Sequence, residues 1–154
     1  MPELRIGNKA PDFELSGGDG KKYSLRQFFG KKIVLYFYPQ DDTETCTLQA
    51  CSFRDHLTPK RISGAVLIGV SPDSPESHKK FSLKYGLNFP LLSDEDKTVM
   101  KAYGVWKRKV MFGKKYMGVI RSTFIINEHG FISHIFSRVR LKGHVENIQE
   151  AVST

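Results

Sequence analysis

Residues 33–38, Ile-Val-Leu-Tyr-Phe-Tyr, form an apolar run with no polar interruption, and the run ends at Pro39. A strand with one face in water alternates apolar and polar side chains, whereas a continuous apolar run is typical of a strand buried on both faces. Such a strand lies inside a sheet that carries packing layers on both sides. The run therefore predicts a layered α/β fold.

The residues that follow this run show a helical pattern. Between residues 43 and 57 we expect a helix whose core positions are Leu48, Phe53 and Leu57. Residues 65–70 form a second buried strand, and Ser74 and Pro75 then begin a helix that ends near Gly86. The chain therefore alternates between strands and helices over its first half.

The remaining elements complete a thioredoxin-like order. Two strands, residues 119–126 and 131–139, are joined by a turn, and residues 144–152 form a closing helix. Residues 12–25 predict an N-terminal β-hairpin with a glycine-rich turn. The predicted fold is a central mixed β-sheet flanked by α-helices. At 154 residues, the chain has the length of a single domain, residues 1–154.

The net charge of +8 raises the question of a nucleic-acid partner. Lys and Arg are dispersed, with a mild concentration between residues 101 and 115, and no helix-turn-helix, zinc-finger or aromatic-basic signature accompanies them. We interpret this stretch as a solvated basic surface that attracts polyanions only non-specifically at low salt. No apolar run approaches the roughly 20 residues of a membrane helix, and no secretory signal pattern is visible. We expect a cytoplasmic protein without a specific nucleic-acid or membrane partner.

The chain has two cysteines, Cys46 and Cys51, five residues apart. Cytoplasmic thiols stay reduced, which disfavours a lasting structural disulfide. A zinc site needs four ligands at short spacings, and the other ligands are missing, so no metal site is expected. Two inert buried thiols remain an alternative, above all for Cys51. The histidines are scattered and are expected on the surface or as hydrogen-bonded core residues: His56, His78, His129, His134 and His144.

The surroundings of Cys46 indicate a working thiol. It follows a buried strand, Pro39, and a polar loop that enters a helix. In the first turn of a helix, the macrodipole and the unpaired backbone N–H groups favour a thiolate, and the same N–H groups can hold a substrate oxygen. Thr43 places a hydroxyl nearby. These features predict a sulfur nucleophile that receives a small polar oxidant.

The pattern Pro39-x-x-x-Thr43-x-x-Cys46 resembles the peroxidatic motif of the peroxiredoxins. Cys46-Thr47-x-x-Ala50-Cys51 is similar to the peroxiredoxin Q, or bacterioferritin comigratory protein, branch of that family. The likeness extends over nearly the whole chain, through residues 10–13, 34–39, 69–73, 91–94 and 121–124. The resemblance implies a thiol peroxidase that reduces hydrogen peroxide and organic hydroperoxides without a metal or an organic cofactor.

The resemblance also implies a role for each matching residue. Cys46 is the peroxidatic nucleophile, Thr43 binds the peroxide through its hydroxyl, and Pro39 shields the sulfenate from over-oxidation. Arg121 stabilises the thiolate and polarises the O–O bond. Cys51 is the resolving cysteine, which forms an intramolecular disulfide with Cys46 that thioredoxin or a similar thiol reductant reduces. Members of this branch are often monomers, so a monomer is expected.

This disulfide sets a geometric condition on the helix. On an intact α-helix, Cα atoms five residues apart are separated by about 7.5 Å of rise and about 140° of rotation, roughly 8.6 Å in all. A disulfide tolerates at most about 7 Å between its Cα atoms. If Cys51 resolves the sulfenate, the turn at residues 45–50 has to unwind in every catalytic cycle.

The chain departs from the family pattern at two places. Glu44-Thr45 replaces the usual Pro-Gly before the nucleophile, and the charge of Glu44 opposes thiolate formation. Gln49 stands where many relatives carry Glu, which removes an ionic partner of Arg121. Both departures bear on catalytic efficiency more than on the type of reaction.

Two rival functions use the same fold. One is a thiol-based redox sensor with the same sulfenate and disulfide chemistry, and the other is a basic binding protein with a vestigial site. The joint presence of Pro39, Thr43, Cys46 and Arg121 favours the enzyme, because a binding protein has no need of that set.

Overall fold

The computed structural model describes residues 4–153, which form nine β-strands, a short 3₁₀ helix and four α-helices. The strands are β1 (Glu14–Gly17), β2 (Lys22–Ser24), β3 (Ile33–Phe37), β4 (Val66–Ser71), β5 (Leu91–Ser93), β6 (Trp106–Met111), β7 (Lys114–Val119), β8 (Ser122–Ile126) and β9 (Ile132–Phe136). The helices are the 3₁₀ helix Leu25–Phe28, then α1 (Glu44–His56), α2 (Pro75–Tyr85), α3 (Thr98–Ala102) and α4 (His144–Val152).

Seven of the strands form one mixed sheet in the order β2-β1-β5-β4-β3-β8-β9. At its centre, β3 pairs in parallel with β4 and antiparallel with β8. The predicted N-terminal hairpin is confirmed, with Glu14 of β1 opposite Ser24 of β2. The mixed α/β architecture predicted from the sequence is therefore confirmed.

The central strand β3 is buried on both faces, as its composition predicts. Leu35 and Phe37 point into a core formed with α3, the 3₁₀ helix and β8. Val34 and Tyr36 point into the opposite core, which α1, α2 and α4 cover. Burial of one such side chain stabilises the fold by about 1.5–3 kcal/mol, so β3 is a rigid base for the segment that follows it.

Helix α1 agrees with the prediction in its position but not in the whole of its buried face. Cys46, Ala50 and Phe53 are buried at helical spacing and define the face that packs into the core. The prediction of Leu48 as a core residue is wrong, because its side chain is 58% exposed. Gln49, one residue further round the helix, is wholly buried on that face instead.

The predicted strand over residues 119–126 is in fact divided between two sheets. β7 pairs with β6 in a separate two-stranded sheet, and β8 belongs to the main sheet. Val119 and Ile120 are both buried, so the apolar pattern continues through the junction. The hydrogen bonds of β8 do not continue through the junction, since Ile120 N donates to Val105 O at 2.8 Å. Arg121 lies directly at this junction.

None of the helices among residues 4–153 has the length and apolar character needed to cross a membrane.

Candidate active site

The loop between β3 and α1 is held in place by a buried polar network. Tyr38 OH donates to Asp41 Oδ1 at 2.6 Å, and Asp41 Oδ2 lies 2.8 Å from Ser77 Oγ and 2.7 Å from His78 Nδ1. The backbone N–H of Asp41 donates to Asp73 Oδ2 at 2.7 Å. The loop is thus fixed to the segment that follows β4 and to α2. No sequence pattern predicts this network, because its members are far apart in the chain and carry no shared spacing.

Two of the histidines have the core role that the sequence allowed for them. His78 is wholly buried, and its Nε2 lies 3.0 Å from Leu92 O. His144 is buried as well, with its Nε2 2.9 Å from Thr123 Oγ1. Burial and the charge of Arg121 lower the pKa of His144 to about 4, so its ring is neutral at pH 7.

Cys46 lies in the first turn of α1, where the sequence placed it. Thr43 is the N-cap residue, and the bond from Thr47 N to Thr43 O, 2.8 Å long, is the first of the helix. The N–H groups of Glu44, Thr45 and Cys46 therefore precede the helical hydrogen bonds and place positive charge at the sulfur. The Cys46 side chain is only 2% exposed.

The structure brings Arg121 to Cys46. Because Ser122 of β8 pairs with Phe37 of β3, Arg121 lies at the end of β3 from which the loop and α1 start. Its Nη2 donates to Cys46 Sγ at 3.1 Å, and its Nη1 donates to Gln49 Oε1. A planar guanidinium suits this arrangement, because its parallel N–H groups reach two acceptors at once.

Gln49 orients Arg121 without neutralising it. Its side chain is wholly buried, and its Nε2 has no hydrogen-bond partner among the described residues. A glutamate here would pair its charge with the guanidinium, whereas the neutral amide leaves the positive charge of Arg121 directed at Cys46. Gln49 in place of the more usual Glu thus keeps the hydrogen bond with Arg121 but removes the opposing negative charge.

Lys109 of β6 is a second cation of the site, and it was missed by the sequence analysis. Its Nζ donates to Val119 O at 2.8 Å, and a Cβ on Gly118 would lie 2.9 Å from its Cδ. Burial and the nearby charge of Arg121 lower the pKa of Lys109, while negative charge at Cys46 acts in the opposite direction. The interpretation of residues 101–115 as a solvated basic surface is wrong for this half-buried side chain. Its position depends on the β6–β7 pairing, which no local pattern in the sequence predicts.

The other predicted site residues lie around Cys46 with fewer contacts. Thr43 is half-buried, and its Oγ1 makes a long 3.4 Å contact with Gln40 O. Pro39 is half-buried and directly follows Tyr38. Cys51 is half-buried on α1 and is a free thiol, as is Cys46. The roles given to these residues by the resemblance remain predictions.

Among residues 4–153, no group of three or more His, Cys, Asp or Glu side chains is arranged to hold a metal ion.

Comparison with known proteins gives consistent matches. The model of the AhpC/TSA family matches residues 6–135. Peroxiredoxin Bcp of Bacillus subtilis is 49% identical over 142 residues, which are 92% of this chain and 90% of that protein.

Solved structures agree with this match and confirm the thioredoxin-like fold. A mutant of Xylella fastidiosa PrxQ superimposes with a TM-score of 0.91 at 30% identity, covering 99% of this chain and 98% of the other. The bacterioferritin comigratory protein of Xanthomonas campestris, studied for its alkyl peroxide reduction activity, gives 0.86 at 37% identity, covering 92% and 90%.

Proposed function

The chain belongs to the AhpC/TSA family, and we propose that it is a thiol-dependent peroxidase that reduces hydrogen peroxide and organic hydroperoxides through Cys46. The observation that carries the proposal is the 3.1 Å contact between Arg121 Nη2 and Cys46 Sγ in the first turn of α1. A thiolate is the reactive form of cysteine, and this position provides it with a guanidinium and a helix N-terminus.

In the first step, the Cys46 thiolate attacks one oxygen of the hydroperoxide. An S–O bond forms as the O–O bond breaks, so that the sulfur is oxidised to a sulfenic acid and the other oxygen leaves as an alcohol or water after taking up a proton. Arg121 stabilises the thiolate and then the charge on the departing oxygen. The loosely held Thr43 hydroxyl turns to hydrogen-bond the peroxide, and Pro39 limits access of a second peroxide molecule.

In the second step, the Cys51 thiolate attacks Cys46 Sγ. An S–S bond forms as the S–O bond of the sulfenic acid breaks, and the oxygen leaves as hydroxide, which takes up a proton from solvent to become water. A dithiol reductant such as thioredoxin then reduces the Cys46–Cys51 disulfide by thiol–disulfide exchange and becomes oxidised itself.

The test is peroxide consumption in the presence of thioredoxin, thioredoxin reductase and NADPH. Cys46→Ser should abolish turnover, because the nucleophile is lost. Cys51→Ser is the matched control: it should react once with peroxide, form a sulfenic acid that dimedone traps, and turn over poorly with thioredoxin. Normal turnover of Cys46→Ser would refute the proposal, and normal turnover of Cys51→Ser would refute the resolving role alone.

A further inference from the structure

The β6–β7 hairpin ends in a tip of exposed apolar side chains, to which the peroxidase chemistry assigns no role. The strands are joined by Phe112-Gly113, and Phe112 is 98% exposed. The other exposed apolar side chains of the tip are Val110, Met111, Tyr116 and Met117. We call these five residues the hairpin tip. Apolar side chains gathered in one exposed region typically mark a contact with a partner or a membrane.

The conformation of the turn does not explain why Phe112 is there. Phe112 and Gly113 have φ values of 51° and 77°, the combination of a type I′ turn, which favours Asn-Gly. A bulky side chain is disfavoured at positive φ. Asparagine would thus stabilise the turn better than phenylalanine does. An exposed phenylalanine at this position therefore points to an external contact.

The hairpin also lies in the segment that carries the excess charge of the protein. Residues 97–127 contain eight Lys and Arg residues and no Asp or Glu. The rest of the chain has sixteen residues of each sign, so the whole formal charge of +8 arises from this segment. The exposed cations nearest the tip in sequence are Arg108, Lys114 and Lys115, whereas Lys109 is half-buried toward the thiol. The three exposed cations place a positive surface around an apolar end.

The apolar side chains of the tip lie on both faces of the hairpin. The pairs Met111↔Lys114 and Lys109↔Tyr116 put Met111 and Tyr116 on one face. Val110 and Met117 alternate to the other face, and Phe112 lies at the end between them. A flat protein surface covers one face of such a hairpin, whereas a lipid interface surrounds the end on all sides. Cations around an inserted apolar end match the anionic phosphates of a lipid headgroup layer.

We propose that the hairpin tip binds the surface of an anionic lipid bilayer, with Phe112 and its apolar neighbours inserted and the flanking Lys and Arg residues on the headgroups. A membrane partner was not expected from the sequence, because only the fold shows which apolar side chains stay exposed among the cations. The proposal does not depend on the peroxidase activity.

The first test is co-sedimentation of the full chain with phosphatidylcholine vesicles, with and without phosphatidylglycerol. We expect binding only to the vesicles that contain phosphatidylglycerol. Phe112→Asn should weaken that binding at least about tenfold, and asparagine suits the positive φ of the turn, so the hairpin is retained. A double change, Lys114→Gln with Lys115→Gln, should weaken it by a similar factor.

Two matched controls on α2 separate the tip from general effects. Leu83→Ser removes an apolar side chain that is 75% exposed, and Lys79→Gln with Lys80→Gln removes two exposed charges. Both should leave vesicle binding unchanged. Phe112→Asn should also keep the wild-type rate of hydrogen peroxide consumption, which separates this proposal from the proposed function.

Insertion itself is measured with a tryptophan at the tip. In a Trp106→Phe background, which removes the single native tryptophan, Phe112→Trp should shift its emission to the blue on phosphatidylglycerol vesicles and be quenched by brominated lipid. The proposal is overturned if anionic vesicles are not bound, or if Phe112→Asn binds them as tightly as wild type. It is also overturned if Phe112→Asn weakens only self-association or the binding of an oligonucleotide, and not vesicle binding.

Discussion

Oxidation of Cys46 and Cys51 to a disulfide is expected to unwind the start of α1 and to lower the thermal stability of the protein. In the reduced structure both thiols are free on an intact helix. Helix geometry separates their Cα atoms by roughly 8.6 Å, beyond the limit of about 7 Å for a disulfide. The bond therefore forms only if the helix turn between the two residues is lost.

The size of this loss of stability follows from the side chains that the helix turn buries. Cys46 and Ala50 are 2% and 1% exposed, and transferring two side chains of this size to water costs roughly 2 kcal/mol. Unwinding also breaks the hydrogen bond between Arg121 and Gln49, a loss that the backbone entropy regained by the freed residues offsets. The disulfide adds no compensating stability, because the small loop it closes is unfolded in both the native and the denatured protein. A net loss of roughly 2 kcal/mol lowers Tm by about 4–8 °C for a chain of this size.

The assay compares fully reduced and fully disulfide-bonded protein by differential scanning calorimetry and by amide hydrogen exchange. The oxidised form should melt lower and exchange faster at residues 47–51, with little change in β3 and β4. Cys51→Ser, treated with one equivalent of peroxide, is the control and should retain slow exchange there. Unchanged Tm and unchanged exchange in a fully disulfide-bonded sample would refute the reasoning.

Three further predictions concern the charges around the thiol. Arg121→Lys should slow the reaction of Cys46 with hydrogen peroxide by about tenfold in stopped-flow measurements, since an ammonium cannot reproduce the two directed bonds of the guanidinium; an unchanged rate would contradict this. Lys109→Met keeps an aliphatic stem beside Gly118 and removes a charge, so the same rate should fall about fivefold; a rate equal to wild type would show that Lys109 does not act electrostatically. The pKa of His144 is lowered to about 4 in the folded protein, so the unfolded chain binds the extra proton and stability is lost as the pH falls from about 6.5 to 4. In urea denaturation, the free energy of unfolding of His144→Gln should fall over that pH range by roughly 2 kcal/mol less than that of the wild type. An identical pH dependence of the two proteins would contradict the assignment.

How much the sequence predicted depends on whether a feature is local. The buried strand at residues 33–37 and helix α2 are set by composition, a proline and capping residues within a few positions, and both occur where predicted. The strand over residues 119–126 was predicted too long, because burial of Val119 and Ile120 continues a pattern that their hydrogen bonds do not follow.

The site was predictable only in part for the same reason. Cys46 and Thr43 lie in one short segment whose setting at a helix start can be derived from the residues themselves. Arg121 comes to Cys46 through the pairing of β3 with β8, which no local pattern encodes, so only the resemblance to a family indicated it. Lys109 depends on a hairpin outside the main sheet, and neither kind of reasoning found it.

The two departures from the family pattern act in opposite directions on the thiol. Glu44 brings a negative charge to the first turn, but its side chain is exposed and water weakens its effect on Cys46. The buried Gln49 holds Arg121 through a neutral oxygen, so the guanidinium charge is not cancelled by a carboxylate and acts at 3.1 Å on the sulfur. Since interactions in a buried setting outweigh those across solvent, the change at residue 49 has the larger effect. Thr45 lies within α1 in helical conformation, so the helix starts without a glycine there, and Cys46 keeps its place in the first turn.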